Sequence, residues 1–166
     1  MRAKKIAFLG LFIAVAMIFS YIELQIPSIV AIPGIKLGLP NIAIIVVLYK
    51  LGWKEAVIIN VIRVLLVSIL FSTVLSMLYS LAGAALSLVV MILLKKTKIF
   101  SPVLVSVFGG ICHNIGQIGV ACLVLETSEL LYYLPVLLIS GTISGVLIGL
   151  IGAQVTKKLI KIEFKN

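Results

Sequence analysis

The sequence contains no aspartate, one histidine and two cysteines among its 166 residues, and only 11% of the residues are charged. A typical soluble domain is about a quarter charged and about half apolar. Here 63% of the residues are hydrophobic, which is more apolar surface than one core of a chain this short can bury. The composition therefore excludes a cytosolic enzyme, a nucleic-acid-binding module and a disordered tail, and it predicts an integral membrane protein.

The scarcity of reactive side chains also argues against several kinds of site. The sequence has no G-x-x-x-x-G-K-[ST] loop for nucleotides and no set of Ser, His and acid within membrane reach. Cys112 and Cys122 would lie about 15 Å apart on a helix, which is too far for a disulfide. With one histidine and no aspartate, a metal site is disfavoured. We expect no cofactor, no metal and no catalytic constellation, so the pattern favours binding or transport over catalysis.

Six apolar runs have, or approach, the length of about 17–25 residues that a helix needs to cross a bilayer. They lie at about residues 6–24, 37–51, 55–71, 74–94, 100–125 and 131–155. A stretch rich in proline and glycine follows the first run, and the second run is short. We therefore predict an all-α integral membrane protein, with a single domain of six transmembrane helices over residues 1–166.

The 14 lysines and arginines outnumber the five acids, all of which are glutamate, and they cluster between the apolar runs. Three precede the first run, two separate the second from the third, three separate the fourth from the fifth, and four follow the sixth. These twelve charges fall on one side, which the positive-inside rule identifies as the cytoplasm. We predict a multi-pass protein of the cell membrane with both termini cytoplasmic, whose basic clusters contact anionic lipid and not nucleic acid.

One positive residue, Arg63, lies near the middle of the third run. A central arginine costs about 2.5–3.5 kcal/mol on insertion scales, so it usually faces a cavity or a partner group. Asn60 lies one turn earlier on the same face, and Glu23 is the one plausible carboxylate within a predicted span. Two interpretations stay open. Arg63 is structural, paired with Glu23 or with backbone carbonyls, or its guanidinium binds a carboxylate or phosphate of a ligand.

The fifth run contains the densest group of polar side chains in the predicted spans. His113 and Gln117 are four residues apart and share a helix face, with Asn114 beside them. A lone histidine is more often a hydrogen-bonded interior residue than a metal ligand, so we predict the polar wall of a ligand cavity near the bilayer midplane. The loop at residues 27–36 is predicted to close this cavity from outside. The predicted substrate-binding residues are Arg63, Asn60, His113, Asn114, Gln117 and Asn41.

Small side chains recur every three or four residues in three of the runs, and such rows let helix backbones approach closely. In the sixth run the row is Gly141, Gly145, Gly149 and Ala153. In the fourth run it is Ser72, Ser76, Ser80, Gly83 and Ser87. One interpretation is packing within the bundle, and the other is contact with a partner protein. The best candidates for a partner interface are in the first run, at Ala3, Ala7, Gly10 and Ala14.

Several short strings together resemble one known membrane family. They are Lys36-Leu37-Gly38-Leu39-Pro40-Asn41, residues 60–68, Ser80-Leu81-Ala82-Gly83-Ala84, Gly110-Ile111-Cys112-His113-Asn114-Ile115-Gly116-Gln117 and Tyr132-Tyr133-Leu134-Pro135. The family is called Gx transporter, or heptaprenyl diphosphate synthase component I, and the resemblance covers about residues 4–155. More loosely, the layout is similar to the S-components of energy-coupling factor transporters. Those six-helix proteins capture vitamins and dock through small residues of the first helix onto a membrane scaffold with two ATPases.

The two labels imply different functions. Prenyl diphosphate synthases of the usual kind hold the diphosphate through magnesium on Asp-rich motifs, and a chain without aspartate cannot do so in that way. We therefore expect an S-component-like bundle that binds a small anionic or amphipathic solute, with uptake powered by a separate membrane scaffold carrying ATPases. The alternative is a non-catalytic membrane subunit associated with heptaprenyl diphosphate synthesis. A stand-alone secondary carrier is a third alternative.

Overall fold

The computed structural model describes residues 2–26 and 38–159, and these residues are almost entirely helical. Six α-helices follow one another along the chain: α1 (Arg2–Gln25), α2 (Asn41–Lys50), α3 (Trp53–Phe71), α4 (Val74–Thr97), α5 (Pro102–Val124) and α6 (Leu134–Lys158). A short 3₁₀ helix, Glu129–Tyr133, precedes α6. The described part of the chain contains no strand, so the predicted all-α class is confirmed.

Four of the helical stretches are long and apolar enough to cross a membrane, at Ala3–Gln25, Val74–Thr97, Pro102–Val124 and Glu129–Lys158. They agree with the first, fourth, fifth and sixth predicted runs, and their length and composition indicate a multi-pass membrane protein. Helix α3 has 19 residues, and it carries three charges at Lys54, Glu55 and Arg63.

The second predicted run differs from the structure in length. Helix α2 has ten residues, which rise about 15 Å, or half the thickness of a hydrocarbon core of about 30 Å. Gly38 and Gly52 lie just outside its two ends with φ values of +73° and +125°, a backbone conformation that favours glycine. Hydropathy counts apolar residues and does not register such turns, which is why the run at 37–51 was expected to be one longer helix.

The short helix α2 lies inside the bundle. Residues 42–48, seven in a row, are all buried, and the helix packs against α1, α3 and α6. Gly152 of α6 allows this close packing, because a Cβ atom there would overlap Cγ2 of Ile45. The hydrophobic core of the bundle is therefore built around α2, which is hydrophobic on all sides as a buried helix must be.

The glycine row of α6 packs against α5. A Cβ atom at Gly145 would lie 2.6 Å from the Cα of Val107, and one at Gly149 would lie 2.7 Å from the Cα of Val103. Real side chains do not approach a backbone so closely, so these positions admit no Cβ unless α5 moves away. For these glycines, the interpretation as packing within the bundle is confirmed.

Helices α4 and α5 approach each other just as closely. A Cβ atom at Gly83 would lie 2.7 Å from the backbone oxygen of His113, and one at Gly116 would lie 2.8 Å from the backbone oxygen of Ala82. This contact fixes the rotation of α5, and with it the direction in which its polar residues face.

The small residues of α1 have a different environment. Ala3, Ala7, Gly10 and Ala14 are all exposed on the bundle surface, and a Cβ atom at Gly10 would meet nothing within 4 Å. Helix α1 thus presents a row of small side chains that the described part of the chain does not cover. Its role as a partner interface stays a prediction.

The two ends of the bundle differ in chemistry. At one end, Lys5 of α1 forms an ion pair with Glu55 of α3, with 2.6 Å between Nζ and Oε1. Near that end, Lys95 of α4 donates a hydrogen bond to the backbone oxygen of Leu48. At the opposite end of α1 and α3, the rings of Tyr21 and Phe71 are 5.3 Å apart. Helices α1 and α3 therefore run parallel, with their basic ends together.

Candidate ligand-binding site

A cavity of about 80 Å³ with many polar side chains on its wall lies among the helices, and we call it the polar cavity. Its wall combines side chains of α1, α3, α4, α5 and α6 with the residues around the start of α2. The polar residues on this wall are Ser20, Glu23, Asn41, Arg63, Ser68, Ser80, His113, Asn114, Gln117 and Ser144. A buried water needs about 10–15 Å³, so the space accommodates several waters or one small polar group.

Arg63 lines this cavity from α3 and is held from behind by Asn60. Its Nη2 donates a hydrogen bond of 2.8 Å to Oδ1 of Asn60, which is buried one turn earlier on the same helix. Its Nε is also buried and has no hydrogen-bond partner among the described residues. The guanidinium is therefore oriented by one contact and retains unused hydrogen-bonding capacity.

Glu23 of α1 lines the same cavity and interacts electrostatically with Arg63. Its carboxylate also accepts a hydrogen bond from the backbone N–H of Gly38. This bond ties the end of α1 to the segment that leads into α2. The acid thus provides a counter-charge for Arg63 and also connects two parts of the chain, and both interpretations of Arg63 from the sequence stay predictions.

Helix α5 provides His113, Asn114 and Gln117 to the wall. Asn114 is buried, and its Nδ2 donates a hydrogen bond of 2.6 Å to the backbone oxygen of Leu137 in α6. Its amide nitrogen therefore joins two helices. Gly110 permits the close contact, since a Cβ atom there would overlap the backbone oxygen of Gly141.

Five of the six predicted substrate-binding residues line the polar cavity: Asn41, Arg63, His113, Asn114 and Gln117. The sixth, Asn60, does not line it. Asn60 faces an apolar groove between α3 and α4 and acts on the cavity only through its hydrogen bond to Arg63. Residues 27–36, which were predicted to close the site, lie outside the described residues.

A family model described as heptaprenyl diphosphate synthase component I matches residues 12–155. The chain belongs to this family. The match extends from the second half of α1 to the last turns of α6 and includes every residue that lines the polar cavity. The predicted resemblance to this family is confirmed. No curated protein and no solved structure matches the chain.

In this member of the component I family, the sequence did not assign the four cavity serines to the site, and it indicated Glu23 only as a possible partner of Arg63. Serine in a membrane helix commonly bonds to its own backbone, so it carries little signal for a ligand. Ser20 and Ser144 do so here, with bonds to the oxygens of Ala16 and Gly141. A usable signal was present in α1, where Ser20 and Glu23 are three residues apart and therefore share a face.

The cavity of this component I protein can bind a polar group through charge and hydrogen bonds. It offers a guanidinium, a carboxylate, an imidazole, three side-chain amides and several hydroxyls inside a largely apolar bundle, where such contacts are stronger than in water. Among the described residues, no group of three or more His, Cys, Asp or Glu side chains could hold a metal ion. Arg63 brings a positive charge to this wall and Glu23 a negative one.

Proposed function

We propose that this protein is a non-catalytic membrane subunit associated with heptaprenyl diphosphate synthesis, and that its polar cavity binds the anionic end of a diphosphate ligand. The observation that carries the proposal is the position of Arg63 on the wall of a small polar cavity, within the region that matches the family. A planar guanidinium suits phosphate oxygens, which it can contact through two parallel hydrogen bonds.

The proposal assigns the catalytic step to a separate chain. Synthases of the usual kind bind magnesium through aspartate-rich motifs, and this chain has no aspartate. Its own contribution would be to hold a diphosphate at the membrane, where a long isoprenoid chain is soluble. The family description, a component of a synthase, supports a division of labour between chains.

We place the protein in the cell membrane with six helices at membrane depth and both termini in the cytoplasm. The basic end of the bundle, marked by Lys5 and Lys95, supports this orientation through the positive-inside rule. Helix α2 would then lie at membrane depth without crossing, covered by α1, α3 and α6.

A second candidate function is solute capture for an energy-coupling factor type of transporter. The observation that favours it is the exposed row of small residues on α1, which would fit a closely packed membrane scaffold. The scaffold and its ATPases would be separate chains. The same polar cavity would then hold the solute before uptake.

Binding of inorganic diphosphate tests the proposed function. The purified chain in lipid nanodiscs is titrated with inorganic diphosphate by isothermal calorimetry, and Arg63→Ala is expected to weaken binding at least tenfold, because the positive charge of the wall is lost. Lys54→Ala is the matched control, since Lys54 is exposed and lies outside the cavity. If wild type and Arg63→Ala are both folded and bind diphosphate with equal affinity, the role of Arg63 is structural and the proposal is wrong.

A further inference from the structure

An apolar groove lies beside the polar cavity, between α4, α5 and the start of α6. We call it the α4–α5 groove. It has a volume of about 220 Å³ and a mainly hydrocarbon lining, to which Ala121 of α5, Leu125 just after α5 and Tyr133 of the 3₁₀ helix contribute. The groove is larger than the polar cavity, so a molecule that filled both would have more apolar than polar bulk.

The groove and the polar cavity share one residue of their walls. Gln117 lines both spaces, so they are separated by no more than a single side chain. The backbone of α5 is fixed at this point, because a Cβ atom at Gly83 of α4 would lie only 2.8 Å from Cγ of Gln117. A ligand that occupied both spaces would therefore lie along the side chain of Gln117.

A buried hydroxyl lies on the wall of the groove. The Oη atom of Tyr79 has no hydrogen-bond partner among the described residues, although it is inaccessible to solvent. Buried polar groups are nearly always bonded, so this hydroxyl has capacity for one more hydrogen bond. The next residue, Ser80, lines the polar cavity, so two neighbouring residues of α4 line the two spaces.

We propose that the two spaces form one site for an amphipathic anion. The anionic head lies on Arg63, the chain lies in the α4–α5 groove, and the Tyr79 hydroxyl bonds to the ester oxygen that joins them. The ligand class is a prenyl diphosphate, because the charge of Arg63 complements a diphosphate and the groove complements a hydrocarbon chain. This inference rests on the proposed function, since it requires the anion to bind at Arg63.

A second apolar groove, between α3 and α4, is a useful contrast. It is larger, at about 320 Å³, but it shares no lining residue with the polar cavity. Ala85 lines it, as Ala121 lines the α4–α5 groove. The two alanines therefore provide a matched pair of positions at which a larger side chain fills one groove and leaves the other open.

The test compares farnesyl diphosphate with inorganic diphosphate in nanodiscs, by equilibrium binding of the radiolabelled compounds. Wild type is expected to bind farnesyl diphosphate at least tenfold more tightly, because the chain adds apolar contact. Ala121→Phe should remove this gain and leave inorganic diphosphate unaffected, and Ala85→Phe should retain the gain. Tyr79→Phe, which is nearly isosteric, should lower the affinity for farnesyl diphosphate alone, by about threefold or more.

The outcomes separate this inference from the proposed function. If wild type binds inorganic diphosphate through Arg63 but gains nothing from the farnesyl chain, the two-part site is wrong and the proposed function stands. If wild type does not bind inorganic diphosphate, both are wrong. A gain that survives both Ala121→Phe and Tyr79→Phe, or that Ala85→Phe abolishes, would place the chain elsewhere and overturn the inference. Should Ala121→Phe not fold, Tyr79→Phe decides.

Discussion

Arg63 illustrates how a single side chain can be identified from the sequence while its surroundings cannot. Its isolation among apolar residues predicted a cavity or a partner, and the structure provides both in the form of the polar cavity and Asn60. The spacing of three residues indicated that Asn60 shares the face of Arg63. It did not indicate that Asn60 would lie behind the arginine instead of on the wall, because that depends on how α3 is rotated against α4.

At this scale we predict that Asn60 and Arg63 are energetically coupled. Asn60→Ala removes the acceptor of the Arg63 Nη2 bond, and hydrogen bonds inside membranes contribute about 0.6 kcal/mol on average and at most about 1.7 kcal/mol. A double-mutant cycle with Arg63→Ala, measured by unfolding in mixed detergent, should give a coupling energy within about that range. Additive effects of the two substitutions would contradict a direct bond between the side chains.

At the scale of elements, the length of each apolar run predicted where the helices begin and end, but it did not predict which helix lies in the interior of the bundle. Runs of apolar residues located α1 and α3–α6 to within a few residues of their ends. Helix α2 is as apolar as the others, yet it is a short interior element. Contacts between distant parts of the chain decide which surface faces lipid, and a local pattern carries no information about them.

The glycine rows give a prediction at the element scale. Gly145→Ala would place a Cβ atom 2.6 Å from the Cα of Val107, so α5 and α6 must separate, and we expect a loss of about 1–3 kcal/mol in unfolding free energy. Gly119→Ala on α5 is the control, since a Cβ atom there meets nothing within 4 Å and alanine favours the helix. A Gly145→Ala chain as stable as wild type would contradict a close contact between α5 and α6 at this glycine.

At the scale of the whole molecule, the site depends on the bundle being complete. The wall of the polar cavity consists of residues from five helices and from the start of α2. Two of these residues, Ser20 and Ser144, are 124 positions apart in the sequence. The sequence predicted five of these wall residues because polar side chains are conspicuous in apolar runs. It could not predict that Asn60 is excluded or that four serines join them, since both facts arise from helix packing.

The two candidate functions differ in the partner that the whole molecule binds, so co-purification distinguishes between them. The tagged chain is isolated from native membranes in mild detergent, and a prenyl diphosphate synthase chain is expected to accompany it. Gly10→Leu should lower recovery of the partner at least fivefold if α1 is the docking face, because a large side chain interrupts the exposed row. Gly119→Leu is the control. Recovery of ATPases with a membrane scaffold would instead favour the transport function.

The brevity of α2 has a consequence for how the protein is made. Ten residues cannot cross the bilayer as an independent segment, and the insertion machinery recognises segments of about 20. The seven buried residues of α2 find their neighbours only when α3 and α6 are in place, and α6 follows the other described helices in the sequence. The docking of α2 must therefore wait for the synthesis of α6, so the polar cavity, bounded by Asn41 at the first turn of α2, is completed only after α6 has been made.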